Sequence, residues 1–190
     1  MAEIHIVRDG YIHEGDGELR VGSTVGFVRD GDALVVIDPG MVASPASILD
    51  PLATLGVSPG DVTDLVLSHH HPDHTMNIAL FPQARVHDHW ATYQGDLWID
   101  RPAEGFQVSP DISLIETPGH TPQDITTLVR TGEGVVAFTH LWWSAEGPAD
   151  DPYAPDRDLL RRNRERVLGL AAEIVPGHGP RFVPGPDTPR

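Results

Sequence analysis

The side chains with chemistry to offer are histidines and aspartates placed where apolar runs end. His69-His70-His71-Pro72-Asp73-His74 follows DLVLS, His120 follows ISLIETPG, His140 follows VVAFT and His178 follows IVPG. Each run reads as a buried strand that empties into a loop punctuated by Gly or Pro, and strand ends gather at one edge of an α/β sheet, where sites are built. His69 and His71 are two apart and point the same way in an extended segment. Asp73 and His74 lie past Pro72, in a turn that can face that pair from another side. The arrangement suits two neighbouring metal ions. With no Cys in the chain the ligands are imidazole and carboxylate. Such donors fit Zn, with Fe or Mn as alternatives, and zinc sites of this kind keep an open position for water.

Positioning these groups requires strands that alternate with helices. Residues 24–29 and 33–37 read as a hairpin across Asp-Gly-Asp, both strands apolar enough to be covered on two faces. Ser44-Pro45 or Asp50-Pro51 can start a short helix carrying Ile48, Leu52 and Leu55. Residues 64–68 form the strand that delivers the histidine cluster; 75–80 is briefly helical, 85–89 strand-like, and 94–110 reads as loop. Residues 112–116 run into TPGHTP, and 125–129 with 135–139 make a second hairpin. Residues 156–173 keep helical apolar spacing at Leu160, Val167, Leu168 and Ala171, and Ile174-Val175 feeds PGHGP. No phosphate-binding glycine loop is present, so an α/β layered fold is expected without nucleotide chemistry. The 190 residues read as one domain, 1–190, with a loose C-terminal tail from about 183.

The HHHPDH segment with two later single histidines resembles the metallo-β-lactamase superfamily, whose HxHxDH signature it matches over nearly the whole chain's order of motifs. Within it, the short chain, IALFP after the signature and LWWSAEG after VVAFT and His140 resemble the group called metallo-β-lactamase domain-containing protein 1. The resemblance implies a four-layer αββα sandwich of two similar halves with the site at the sheet edges. It implies that His69, His71 and His120 hold one metal, that Asp73, His74 and His178 hold the second, and that Asp38 supports the metal loop. It also implies hydrolysis, with Asp73 orienting the attacking water and accepting its proton.

One position departs from the family pattern. The superfamily commonly places an Asp at the end of the strand that follows the third-histidine loop, where its carboxylate bridges both metals, and here VVAFT is followed by His140 instead. An imidazole lone pair serves one ion and cannot bridge a pair roughly 3.5 to 4 Å apart. His140 is expected to ligate one metal, or to hydrogen-bond to a ligand, and the lost negative charge favours a mononuclear or iron-containing site. The remaining histidines have plainer expectations. His5, His13 and His70 read as surface or satisfied core residues, His87 and His89 as surface or pocket rim. Trp142 and Trp143 are core or pocket wall, and the Arg161–Arg166 run is a solvated helix face.

Thirteen basic residues, all Arg, against 28 acidic ones give a net charge of −15. That charge disfavours nucleic acid and anionic membranes as partners. The absence of Lys and Cys excludes Schiff-base and thiolate chemistry. No signal peptide or apolar span is visible, which points to a cytoplasmic protein without membrane insertion; a homodimer stays open. The expected function is a metal-dependent hydrolase that uses a metal-activated water on a small ester, thioester, lactone or phosphodiester. Two alternatives stand beside it: an iron-dependent redox enzyme on the same fold, and a metal-binding module impaired by His140.

Overall fold

Strands without polar alternation need cover on both faces, and this requirement sets the layering. In the computed structural model, which describes residues 1–190, Val35 and Ile37 face one way and Val36 the other along a single strand, and all three are buried. The elements in order are β1 (Glu3–Arg8), β2 (Tyr11–Gly15), β3 (Glu18–Gly22), β4 (Val25–Asp30), β5 (Ala33–Ile37), α1 (Ala46–Thr54), β6 (Asp64–Val66), α2 (Pro72–Thr75), β7 (Arg85–His87), β8 (Ala91–Gln94) and β9 (Leu97–Asp100). The second half holds β10 (Gln107–Ser109), β11 (Ile112–Glu116), β12 (Ile125–Thr131), β13 (Gly134–Thr139), α3 (Arg157–Leu168) and β14 (Glu173–Pro176).

Two mixed sheets result. The first has the order β1-β4-β5-β6-β7-β8-β9 and the second β10-β11-β12-β13-β14, with β2-β3 a separate ribbon. In both halves an antiparallel hairpin (β4-β5, β12-β13) is followed by a parallel strand (β6, β14) reached through a crossover. The core between the sheets joins Val28, Val35, Ile37 and Val66 to Leu114, Ile125, Val129, Phe138 and Val175. Phe27, Val36 and Leu65 cover Ile48 and Leu52 of α1, while Ile115, Ala137 and Ile174 cover Leu160 and Val167 of α3. Helix, sheet, sheet, helix is the four-layer αββα sandwich.

Two expectations are corrected here, and a third that left two alternatives open is divided between them. Residues 94–110 contain the end of β8, the strand β9 and the short β10. These pieces are three or four residues long, and the apolar side chains of β9 face outward, so no alternation announced them. Arg164 is fully buried, donating to the backbone carbonyls of Leu141, Pro148 and Ala149; it ties α3 to the loop beyond β13 and is no part of a solvated face. The two tryptophans divide: Trp142 is wholly buried and donates to the Pro189 carbonyl, whereas Trp143 turns towards the histidines. No helix is long and apolar enough to cross a membrane.

Candidate metal centre

The parallel strands β6 and β14 and the strand β13 end on the same edge, and the loops leaving them carry the ligand-type side chains. Ser68, after β6, donates its N–H to Asp38 Oδ1 at 2.7 Å, so the loop after β5 fixes the exit of β6. Asp38 holds φ 51°, a left-handed backbone that a non-glycine residue adopts at a cost, here offset by what its carboxylate does. Its second oxygen accepts from His74 Nδ1 at 2.9 Å. Two residues on, a Cβ at Gly40 would overlap the Asp73 carbonyl, which accepts from the N–H groups of Ser23 and Met41. That close approach seats α2, and with it Asp73 and His74.

All seven expected ligands converge. His69, His71 and His120 form one group of donors, Asp73, His74 and His178 a second, and His69, His74 and His140 a third; within each the donor atoms lie within 4.8 Å of one another. His71 Nδ1 stands 3.0 Å from His69 Nε2 and 3.1 Å from His120 Nε2. His140 Nε2 stands 3.0 Å from His178 Nε2, and Asp73 Oδ2 lies 3.4 Å from His74 Nε2 and 3.5 Å from His178 Nε2.

Outward contacts decide what these rings present inward. His120 donates Nδ1–H to Asp151 at 2.7 Å, His74 to Asp38, and His178 to the Gly22 carbonyl at 3.0 Å. An acceptor at Nδ1 keeps the proton there and directs Nε2 into the cluster, as partners of metal-ligating histidines do. Buried nitrogens normally find hydrogen bonds, yet His74 Nε2 and His140 Nδ1 have none. A nitrogen shared by two neighbours, as His71 Nδ1 is, and nitrogens orphaned in the interior fit a bound cation.

The electrostatics agree. Burial pushes His69 and His140 well below the ordinary imidazole value, with neighbouring histidines adding to the effect, and His71 moves the same way. Burial takes His178 down to about 4. His74 is the exception: burial opposes its charge, but Asp38 and Asp73 on either side raise it to about 9. Asp73 is lowered to about 2, because its contacts with His74 outweigh the burial that would raise it. An incoming metal therefore displaces a proton from His74, and affinity falls as pH falls.

Beside the cluster, Trp143 and His178 line a cleft of about 360 Å³ with Ile12, Ser144, Glu146 and Pro148. A larger cavity of about 460 Å³ between Ile4, Val136 and Arg181 contains no histidine. Sequence reasoning missed Asp151, which accepts from His120 Nδ1, from Trp143 Nε1 at 3.0 Å and from the Tyr153 N–H at 2.9 Å. It sits in a Pro- and Asp-rich loop with no periodicity to single it out. His70 turns outward as expected and meets Asp88 at 3.0 Å. His87 is corrected: it is buried between Asp64 and Thr92, away from any rim.

The family model of the metallo-beta-lactamase superfamily matches residues 19–185. A Xenopus laevis protein named metallo-beta-lactamase domain-containing protein 1 is 31% identical over 94% of this chain and 80% of its own length. The human protein of that name is 33% identical over 78% of this chain, which spans 59% of its length. Among solved structures, a candidate metallo-beta-lactamase from Thermotoga maritima has a TM-score of 0.77 at 21% identity, covering 96% of this chain and 99% of that one. A quorum-quenching N-acyl homoserine lactone lactonase has a TM-score of 0.67 at 17% identity over 93% and 91% of the two chains. The fold, the donor cluster and the match across residues 19–185 together make this chain a member of the metallo-β-lactamase superfamily.

Proposed function

We propose that the chain is a metal-dependent hydrolase of small neutral carbonyl substrates, lactones and carboxylic esters first and thioesters next. The observation that carries this reading is the set of outward Nδ1 contacts on His74, His120 and His178, which leaves three nitrogens turned into the cluster and free to bind metal. Zinc is the metal proposed, its donors drawn from His69, His71, Asp73, His74, His120, His140 and His178, with Asp38 and Asp151 holding two of the rings. Such an ion, when bound, lowers the pKa of its water towards about 7 and polarises the oxygen under attack.

The chain's own groups do the rest. Asp73 is ionised throughout the physiological range, so its carboxylate orients a water by accepting its hydrogen bond. Its low basicity makes it an orienting acceptor more than a proton store. Trp143, held by Asp151, forms an apolar wall for the acyl part of a substrate. Glu146 and the net charge of −15 disfavour phosphodiesters and nucleic acid at this mouth.

Zinc-loaded protein assayed on lactones, aryl esters, thioesters and phosphodiesters is expected to turn over the first two best. Metal analysis of protein expressed without supplementation is expected to find zinc, and iron in its place would move the reading to redox chemistry. No turnover on any of the four classes by metal-loaded protein overturns the hydrolase.

A further inference from the structure

The donor cluster contains three groups where a two-ion site needs two, and the third is built from members of the others. His69, His74 and His140 are all buried, and their donor atoms lie within 4.8 Å of one another. His69 turns Nδ1 to Ser68 Oγ at 3.0 Å and His74 turns Nδ1 to Asp38 at 2.9 Å, so each has one nitrogen to offer inward. One imidazole lone pair binds one ion. An ion in the middle group therefore leaves the outer groups with only His71 and His120, and Asp73 and His178.

Two observations place the demand for an ion in the middle. Within the cluster, the two buried nitrogens without a hydrogen bond are His74 Nε2 and His140 Nδ1; both residues belong to this group, and His140 belongs to no other. The chain also clears space for the imidazole: a Cβ at Gly177 would stand 2.3 Å from His140 Cδ2 and 2.7 Å from its Nε2. The loop that carries His178 thus has no side chain where it passes the ring. Charge points the same way. Two dications in the outer groups would share one carboxylate, Asp73, whereas a carboxylate at 140 would lower their repulsion and offer each ion an oxygen; imidazole does neither.

We propose that the chain binds a single divalent transition-metal ion at His69, His74 and His140 in preference to two ions at the outer groups, and that His140 selects this one-ion state. The proposal deepens the hydrolase reading and rests on it only in taking the cluster to be a metal centre. Three nitrogen donors suit Zn, Fe(II), Ni or Cu over Mg or Ca.

Metal-free protein is loaded with Zn²⁺ or Co²⁺, desalted and analysed for metal per chain, with Co²⁺ absorption reporting the donor set. Wild type is expected to retain one ion, and His140→Asp two. His71→Ala and His178→Ala are each expected to keep one ion, while His140→Ala loses at least about tenfold in affinity. Should His140→Ala not fold, as judged by circular dichroism, His140→Gln replaces it, since its side chain fills the same space. Two ions in wild type, or an ion kept by His140→Ala and lost by His71→Ala or His178→Ala, overturns the proposal. Turnover with two ions bound removes the middle site and leaves the hydrolase. One ion bound without turnover removes the hydrolase and supports the middle site.

Discussion

Two buried histidine networks flank β6, and they differ in one respect. At its start, Asp64 accepts from His87 Nε2 at 2.7 Å, from Arg85 at 2.8 Å and from Thr63 Oγ1 at 2.7 Å, and His87 Nδ1 pairs with Thr92 Oγ1 at 3.0 Å. Every nitrogen and oxygen there has a partner. At the exit of β6 the cluster's histidines other than His71 are also buried, but their inward nitrogens face one another or lack a hydrogen bond. Burial and residue type are shared, so neither marks a metal centre; what marks it is unfinished hydrogen bonding. A closed network stabilises the fold, and an open one holds its donors ready for an ion at a cost in stability.

Substitution separates the two most sharply. His69→Ala is expected to reduce turnover to background and to deplete bound metal, since His69 belongs to two of the donor groups. His87→Ala is expected to leave metal content unchanged and to lower stability by about 3 kcal/mol, because it opens a cavity and removes a partner from buried Asp64. Metal analysis with urea unfolding reads both. Metal loss in His87→Ala would erase the distinction between the networks.

Acid sharpens the contrast in metal-free protein. The folded value of His178, about 4, lies below its unfolded value of 6.5, so the unfolded chain binds more protons between these limits. Stability is lost as pH falls from 6.5 towards 4, by about 3 kcal/mol from this buried group alone. His69 and His140 add in the same direction. His74, raised to about 9, acts oppositely: its contribution is complete below 6.5 and is lost as pH rises through 9. Asp64 in the closed network is lowered, so its contribution is present above 3.8 and disappears only below that. Urea midpoints of metal-free wild type are expected to fall between pH 6.5 and 4, and to fall less in His178→Asn. An equal fall in both would assign the acid sensitivity elsewhere.

Asp151 is the open network's outer support, and its removal tests whether orientation or mere presence of His120 matters. In the two-ion His140→Asp background, Asp151→Ala is expected to weaken the ion at His69, His71 and His120 about 10- to 100-fold while leaving the metal-free fold intact. Trp143 loses the same partner, so its fluorescence should shift in the same variant. Unchanged affinity would show that packing alone orients the His120 ring.

What the sequence made legible follows from the same distinction. The seven converging residues were visible because each lies in a segment that leaves an apolar strand at one sheet edge, and strand exits are local features. Layering was visible too, since the runs at 33–37 and 135–139 can only be covered on both faces. His87 was misplaced because His-Asp-His imitates a metal pair, and nothing local shows that Asp64, 23 residues earlier, closes its valence. Asp151 and Arg164 escaped for the converse reason: their partners His120 and Leu141 are 31 and 23 residues away, and a polar loop and an Arg-rich helix are ordinary solvent-facing patterns. Hydrogen-bond closure is a tertiary property, and periodicity carries no trace of it.

The mildest test opens the closed network by a single bond. Thr92→Val keeps the volume of the side chain and removes the hydroxyl that meets His87 Nδ1 at 3.0 Å and accepts from Arg101 Nε at 3.2 Å. His87 then carries an unpartnered buried nitrogen, the condition that His140 holds in the metal centre. The expected cost is about 1 kcal/mol in urea unfolding, with no metal gained, because one open nitrogen beside Asp64 and Arg85 offers an ion too few donors and a neighbouring cation. Metal binding by this variant at the Asp64 end would show that an unpartnered buried imidazole suffices to create a site, and convergence of several would cease to be the requirement.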